Sequence, residues 1–312
     1  MKKLFIAVAA LFVSAAMMSA QDLATATETY NAGAEALGIN DKAGALTHFR
    51  SALEMAEQCG EEGAEIVANC KNVIPGILLS IGKEYYNAKE FDTALEKMNE
   101  ALAVAKEYGN DEVIVETEGL LGQVALQKDL AAANDAFKAK DFATAAAGYK
   151  AVLAADPENK AASIRLVQAL ANAGDLEAAK EAFELAAANG KEADARKVLG
   201  GSYLKKAAAA LKANKSADAI AAAEESLKFE EDAKAYLIAG QANTKIKKNA
   251  EAITCFEKYL ELEPQAKNAG QIALTIGALY QGQNNKAKAL EFYKKAQALG
   301  TDAKTYIDAL SK

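Results

Sequence analysis

An alanine recurs seven times along this chain, and each copy keeps the same kind of company at the same offsets. The alanines are Ala45, Ala94, Ala145, Ala179, Ala219, Ala252 and Ala289. Four residues later stand Phe49, Met98, Tyr149, Phe183, Ala223, Phe256 and Tyr293. Seven residues later stand Ala52, Ala101, Val152, Ala186, Ser226, Tyr259 and Ala296, and twelve residues before stand Gly33, Gly82, Ala133, Val167, Ala207, Gly240 and Gly277. Offsets of four and seven fall on one face of a helix. A side chain of one methyl or none lets one helix lie close against the next, and the aromatic fills the gap beside it.

The clearest copy runs from Ala233 to Pro264. Tyr236, Ala239, Gly240 and Ala242 form one apolar set at helical spacing, and a polar turn, Lys247-Lys248-Asn249, follows. A second set recurs at Ala252, Ile253, Phe256, Tyr259 and Leu260, and Pro264 stops it. Two such helices joined by a short turn make a hairpin that cannot bury its own apolar stripe, so it needs a copy on each side. This pattern resembles the tetratricopeptide repeat, a two-helix unit of about 34 residues. The resemblance covers roughly Thr25 to Gly300, and with the leader discussed below it points to an exported bacterial member. Pro157 and Pro264 stand where the family's terminal proline belongs, and the family's tryptophan is absent, with Tyr203 and Tyr236 as the nearest substitutes. The resemblance implies an all-α fold: a right-handed α-solenoid of about seven hairpins with a C-terminal capping helix. Its units fall near 26–60, 75–110, 126–159, 160–190, 200–230, 233–266 and 270–300, with the cap at 302–312.

Successive marker alanines lie 49, 51, 34, 40, 33 and 37 residues apart. The first two intervals carry about 15 residues beyond the repeat length, enough either to lengthen the paired helices by two turns apiece or to form an extra short helix. Pro75 and the segment Gly60–Gly63 leave both open.

Met1 to Ala20 is read as a leader, not as part of the fold. Lys2-Lys3 is basic, Leu4 to Met18 is apolar, and Met18-Ser19-Ala20 resembles a signal-peptidase site before Gln21. The apolar run is shorter than the ~20 residues that span a bilayer. The expectation is cleavage near Ala20 and a mature, monomeric, periplasmic or secreted chain at 21–312, with no later membrane span. Cleavage removes two lysines and no acid, taking the formal charge from −7 to −9. A balance this acidic argues against nucleic acid and anionic membrane surfaces as partners.

Catalytic constellations are missing. The single histidine, His48, has no partner at ligand spacing, so neither a metal nor a cofactor is expected. Gly200-Gly201 lacks the lysine and hydroxyl of a phosphate loop, and the acidic clusters Glu61-Glu62 and Glu230-Glu231-Asp232 read as solvated loop charge. Export permits a disulfide between Cys59 and Cys70 across Gly60–Gly63; the alternative is two free thiols in helix packing. Cys255 reads as a small apolar residue.

The chain is therefore read as a non-enzyme that works through its surface. In tetratricopeptide solenoids the first helix of each unit lines a groove. Carried onto this sequence, that places an apolar ladder at Leu79, Leu130, Ile164, Leu204, Leu237 and Leu274, flanked by Lys83, Asn134, Gln168 and Gln241. Such a ladder with amides suits an extended peptide, although the same apolar residues could pack against the adjacent first helix instead. The expected function is a non-catalytic scaffold in the bacterial cell envelope that binds a protein or peptide in its groove. The alternative is a glycan- or nutrient-binding accessory protein of an envelope uptake system, disfavoured because no tryptophan is present to stack on sugar rings.

Overall fold

The computed structural model describes residues 21–310, so the leader assigned to residues 1–20 lies outside the described residues. Every regular element among them is helical. Residues 21–38 form α1 and Lys42–Gln58 α2; a 3-10 turn at Gly60–Gly63 leads to α3 (Ala64–Asn87) and α4 (Phe91–Tyr108). Then come α5 (Asp111–Lys138), α6 (Phe142–Ala155), α7 (Lys160–Ala173), α8 (Leu176–Ala188), α9 (Glu192–Lys212) and α10 (Ser216–Phe229). The last are α11 (Ala233–Lys245), α12 (Asn249–Leu262), α13 (Ala269–Gly282), α14 (Lys286–Ala298) and α15 (Lys304–Leu310). This is an all-α solenoid of helical hairpins, each odd-numbered helix up to α13 pairing with the even one after it. The chain divides into two compact units, one ending at Ala131 and one beginning at Ala132, with the division inside α5.

The extra residues of the early repeats lengthen both helices of a hairpin, the first helices most. The α3 helix has 24 residues and α5 has 28. Pro75 is buried within α3, and Gly60–Gly63 is a single 3-10 turn. The fifth hairpin also begins earlier than its pattern suggests, because α9 starts at Glu192 and runs for 21 residues.

All seven marker alanines are 0% exposed. The residue twelve before each one explains why. A Cβ built on Gly33, Gly82, Gly240 or Gly277 would lie 3.1, 2.7, 2.6 and 2.6 Å from Phe49, Met98, Phe256 and Tyr293 respectively, the residue four after the marker in the same hairpin. The large side chain occupies the space that the glycine vacates. In the third hairpin the roles shift by one residue: Ala133 supplies the methyl, and a Cβ on Gly148 would meet it at 2.8 Å. The fifth hairpin has Ala207 against Ala223, so it closes on small residues alone. Its aromatic comes from the end of α10, where Phe229 stacks on Tyr203 at 6.1 Å, and Ser226 Oγ donates to the Gly200 carbonyl at 2.8 Å.

Each turn within a hairpin passes through one left-handed residue: Asn40, Lys89, Lys140, Gly174, Asn214, Lys247 and Asn284. Side chains at the following position cap several second helices. Asp41 accepts from Gly44 N, Asp141 from Thr144 N, Asp175 from Ala178 N and Asn285 from Lys288 N, at 2.9–3.2 Å. Such caps satisfy backbone amides that a helix start leaves unpaired.

The α15 helix covers the face of α13 and α14. Asp302 accepts from Lys304 N at 3.1 Å. Ile307 and Leu310 pack against the cluster built on Phe256, Ile276 and Tyr293, and Tyr306 stacks on Tyr293 at 5.0 Å. Lys304 and Asp308 face water, whereas Lys312 lies outside the described residues.

One expectation needs correction, and one choice left open is resolved. One later segment, Gly60–Asn87, is long and apolar enough to cross a membrane, with a mean hydropathy of 1.3. Its apolarity has a local reason: Cys70, Ile74, Ile77, Leu78 and Leu79 are the core into which α2 and α4 pack. Cys59 and Cys70 are free thiols, not a bridge. Cys59 Sγ donates back to the Met55 carbonyl of its own helix at 3.4 Å, while Cys70 is buried, which pushes its thiol up to about 11. Cys255, also free, is half-buried beside the α9–α11 core.

Replacing Ala252 or Ala289 by leucine should destabilise the chain by about 1–3 kcal/mol through overpacking. By contrast, Lys247→Ala should stay within ~0.5 kcal/mol, since both residues carry a Cβ into the same left-handed turn, and Lys247→Gly should gain about 1 kcal/mol by removing it. Urea melts of the four variants check this order; equal shifts would mean the packing register is wrong. Deleting residues 302–312 should bare the surface around Leu290 and Tyr293, lower the melting temperature and cause association that grows with concentration in sedimentation runs.

Candidate functional site

The first helices of the hairpins in the second unit, α7, α9, α11 and α13, present the candidate surface. They present it because each turns its small residues toward its own second helix and keeps a narrower stripe exposed. On α11 the buried set is Ala235, Ala239, Gly240, Ala242 and Asn243, so Lys234, Gln241 and Lys245 point elsewhere.

The ladder residues divide into two kinds. Leu79 and Ile164 are buried, and Leu79 belongs to the core of the first unit. Leu130, Leu204, Leu237 and Leu274 are half-buried. Leu204 packs on the cluster of Ala207, Ala222 and Ala235, while Leu237 and Leu274 pack on the α12–α14 cluster. Much of the ladder is therefore core.

Most of the polar flank is spent internally. Lys83 Nζ pairs with Glu116 at 2.6 Å. Asn134 Oδ1 accepts from Tyr149 OH at 2.8 Å, and Gln168 Oε1 accepts from Arg165 Nη1 at 3.1 Å. Only Gln241 is exposed, and its side chain makes no hydrogen bond among the described residues.

Gln241 lines a cleft of about 380 Å³ between α9, α11 and α13. Leu211, Phe256 and Ile272 supply an apolar floor, and Gln241, Gln271, Thr244, Thr275 and Lys245 supply the polar wall. Thr244 and Thr275 donate to their own helix carbonyls at Gly240 and Gln271, and Lys245 Nζ donates to Asn214 Oδ1 at 2.7 Å. Gln271, like Gln241, is exposed with its amide unpartnered among the described residues. Gln271 and Thr275 also border a second recess of about 240 Å³ with Leu274, Ala278, Tyr293 and Tyr306, so the two form one trough. Sequence reasoning found Gln241 and Leu274 but missed Gln271, Thr244 and Thr275. The signal was the same helical face extended by one turn in either direction.

A larger recess, about 720 Å³, opens between α8, α9 and α10 at the hairpin that lacks its aromatic. Ala209, Ala213 and Ala222 line it, and Tyr203 OH donates to Glu177 Oε1 at 3.2 Å on its wall. Burial, then the Glu177 carboxylate beside it, push the Tyr203 hydroxyl up to about 12. Glu225 at the rim is held below its ordinary value by hydrogen bonds from Lys228 and Lys180.

Two tetratricopeptide repeat family models match this chain, one over residues 136–200 and one over residues 204–267. Those residues carry tetratricopeptide repeats. No curated protein matches the sequence. Among solved structures, the MamA protein is similar at 22% identity over 56% of this chain and 91% of that chain, with a TM-score of 0.34. MamA of Desulfovibrio magneticus is similar at 19% identity over 56% and 94%, with a TM-score of 0.30. YrrB, a TPR protein with an unusual peptide-binding site, is similar at 21% identity over 59% and 91%, with a TM-score of 0.31.

Alkaline titration followed by tyrosinate absorbance should show several delayed tyrosines, with the Tyr203 phase near pH 12. Glu177→Gln should move that phase down only part of the way, because burial is the larger cause. The neutral hydroxyl is favoured in the folded state, so its contribution to stability is complete below about pH 10 and falls as pH rises from 10 toward 12.

Proposed function

We propose that this chain is a non-catalytic scaffold that holds a peptide or protein partner in the trough between α9, α11 and α13, and that it does so in the bacterial cell envelope. The observation that carries the reading is the pair Gln241 and Gln271. Both are exposed amides without a partner, standing over an apolar floor of Leu211, Phe256 and Ile272. An amide offers a donor and an acceptor together, which is what an extended backbone requires, and the floor accepts alternate side chains. Tetratricopeptide repeats commonly mediate protein and peptide binding, and the matched residues include α11 and most of α9. Export rests on the leader pattern of residues 1–20.

Capture from envelope extract on immobilised 21–312, followed by mass spectrometry, names the partner. Gln241→Ala and Gln271→Ala should each weaken its binding by about tenfold, the cost of one unreplaced hydrogen bond, without shifting the melt. Unchanged binding by both variants would remove the trough from consideration. N-terminal sequencing of the fractionated protein should find Gln21 first; an intact Met1 in the cytoplasmic fraction would end the export reading.

A further inference from the structure

The last three full hairpins have two edges of different charge. One edge is made by the turns that join the two helices of a hairpin, the other by the links that lead to the next hairpin or to α15. The turns run over 212–216, 245–249 and 282–286. They hold Lys212, Lys215, Lys245, Lys247, Lys248 and Lys286, all exposed, and no acid. Lys245 donates to Asn214 Oδ1 at 2.7 Å, which sets two of the turns side by side. The other five lysines form no ion pair among the described residues. Asp218 and Glu251 stand on the first turns of α10 and α12, so the edge keeps a surplus of four positive charges; Lys288 on α14 is matched by Glu291 at 2.9 Å. The links, 230–232, 263–268 and 299–303, are the reverse: Glu230, Glu231, Asp232, Glu263 and Asp302 against Lys267 alone. Earlier turns of the second unit carry no surplus, since Lys138 pairs with Asp135, Lys140 is followed by Asp141 and Gly174 by Asp175.

Ile246 stands in the middle of the basic edge, within Lys245-Ile246-Lys247-Lys248, and is 41% exposed. It occupies the place before the left-handed residue of the turn. The other turns of the second unit have Ala139, Ala173, Ala213 or Gln283 there. The first unit also exposes an isoleucine at this place, Ile39, but Asp41 follows it and its neighbour Lys42 is taken by Glu84. Only at Ile246 does an exposed apolar side chain meet unpaired lysines.

We propose that this edge docks on an anionic phospholipid bilayer, with Ile246 lowered beneath the phosphates and Lys212, Lys215, Lys247, Lys248 and Lys286 set against them. The proposal is independent of the peptide trough. A bilayer interface satisfies both parts of the edge at once, because the isoleucine leaves water while the lysine heads remain among the headgroups. A row of turns offers no groove to an extended chain, and these three turns hold no aromatic ring on which bases could stack. The acidic net charge of the chain argues against such a surface only if charge is evenly spread. The α12 helix has 14 residues and is about 21 Å long, so the acids of the links stand well beyond the ~8 Å over which a charge is felt at physiological salt. They also orient the chain, since the edge that carries them is turned away from the lipid.

Sedimentation of residues 21–312 with vesicles of phosphatidylcholine, or of phosphatidylcholine with about a third phosphatidylglycerol, tests this. The chain should bind the anionic vesicles only, and less as salt rises. Each lysine near the surface is worth about fivefold, so Lys247→Ala, Lys248→Ala and Lys286→Ala together should weaken binding by at least about twentyfold. Lys150→Ala, Lys267→Ala and Lys294→Ala, the same loss of charge away from the edge, should leave it unchanged, and matching melts confirm that both variants fold. The chain has no tryptophan, so Ile246→Trp adds a single reporter. Its emission should shift to the blue on anionic vesicles, and Ile246→Ser should weaken binding by about fivefold. No binding to anionic vesicles, equal losses in the two lysine variants, or an unshifted tryptophan would each overturn the proposal. So would a single-stranded oligonucleotide or polyglutamate that binds tighter than the anionic vesicles.

Discussion

Everything in this fold depends on how closely two antiparallel helices can approach inside one hairpin. At Gly240 the approach leaves no room for a methyl, because Phe256 already stands 2.6 Å from where it would be. Gly277 and Tyr293 repeat the arrangement at the same distance. Such a contact is specific in both directions. A larger residue on the first helix strikes the ring, and a smaller one on the second leaves a cavity. With that distance set, the marker alanine is buried, and the trough of Gln241 and Gln271 stands on the exposed stripe that the first helices keep.

The sequence told most about features that repeat. Helical hairpins, the buried alanines and the Asp302 cap all follow from periodicity and local chemistry. Periodicity was silent on the early insertions. The residues between Ala45 and Ala145 fit longer helices or an added one equally well, and tertiary packing of Ile74, Ile77 and Leu78 decides for length. The site was legible only in part for a related reason. An amide on a helix face looks the same whether it awaits a ligand or serves a neighbour. Asn134 is taken by Tyr149 and Gln168 by Arg165, both contacts that only the folded chain defines. A leucine at a groove position is equally ambiguous, and Leu79 and Ile164 turn out to be buried.

The fifth hairpin shows what happens when the repeat rule lapses. With Ala223 in place of an aromatic, the helices close on alanines, and the nearest large recess of the second unit opens beside them. Phe229 and Tyr203 supply the missing bulk from a different position, so the hairpin keeps its aromatic contact though not its place.

The glycine and the ring that meets it always lie in the same hairpin, never in neighbouring ones. Gly33 faces Phe49, Gly240 faces Phe256, and Gly277 faces Tyr293, each pair separated by the same sixteen residues. A stretch of gene encoding one hairpin therefore carries a complete lock within itself. Duplication of that stretch inserts a unit that already closes, and loss of it removes no half of another unit's contact. What must match between neighbours is softer, an apolar face of about the right size. The spread of intervals between marker alanines, from 33 to 51 residues, is the kind of variation such a grammar tolerates: length can drift in the first helices and loops while the sixteen-residue lock stays fixed.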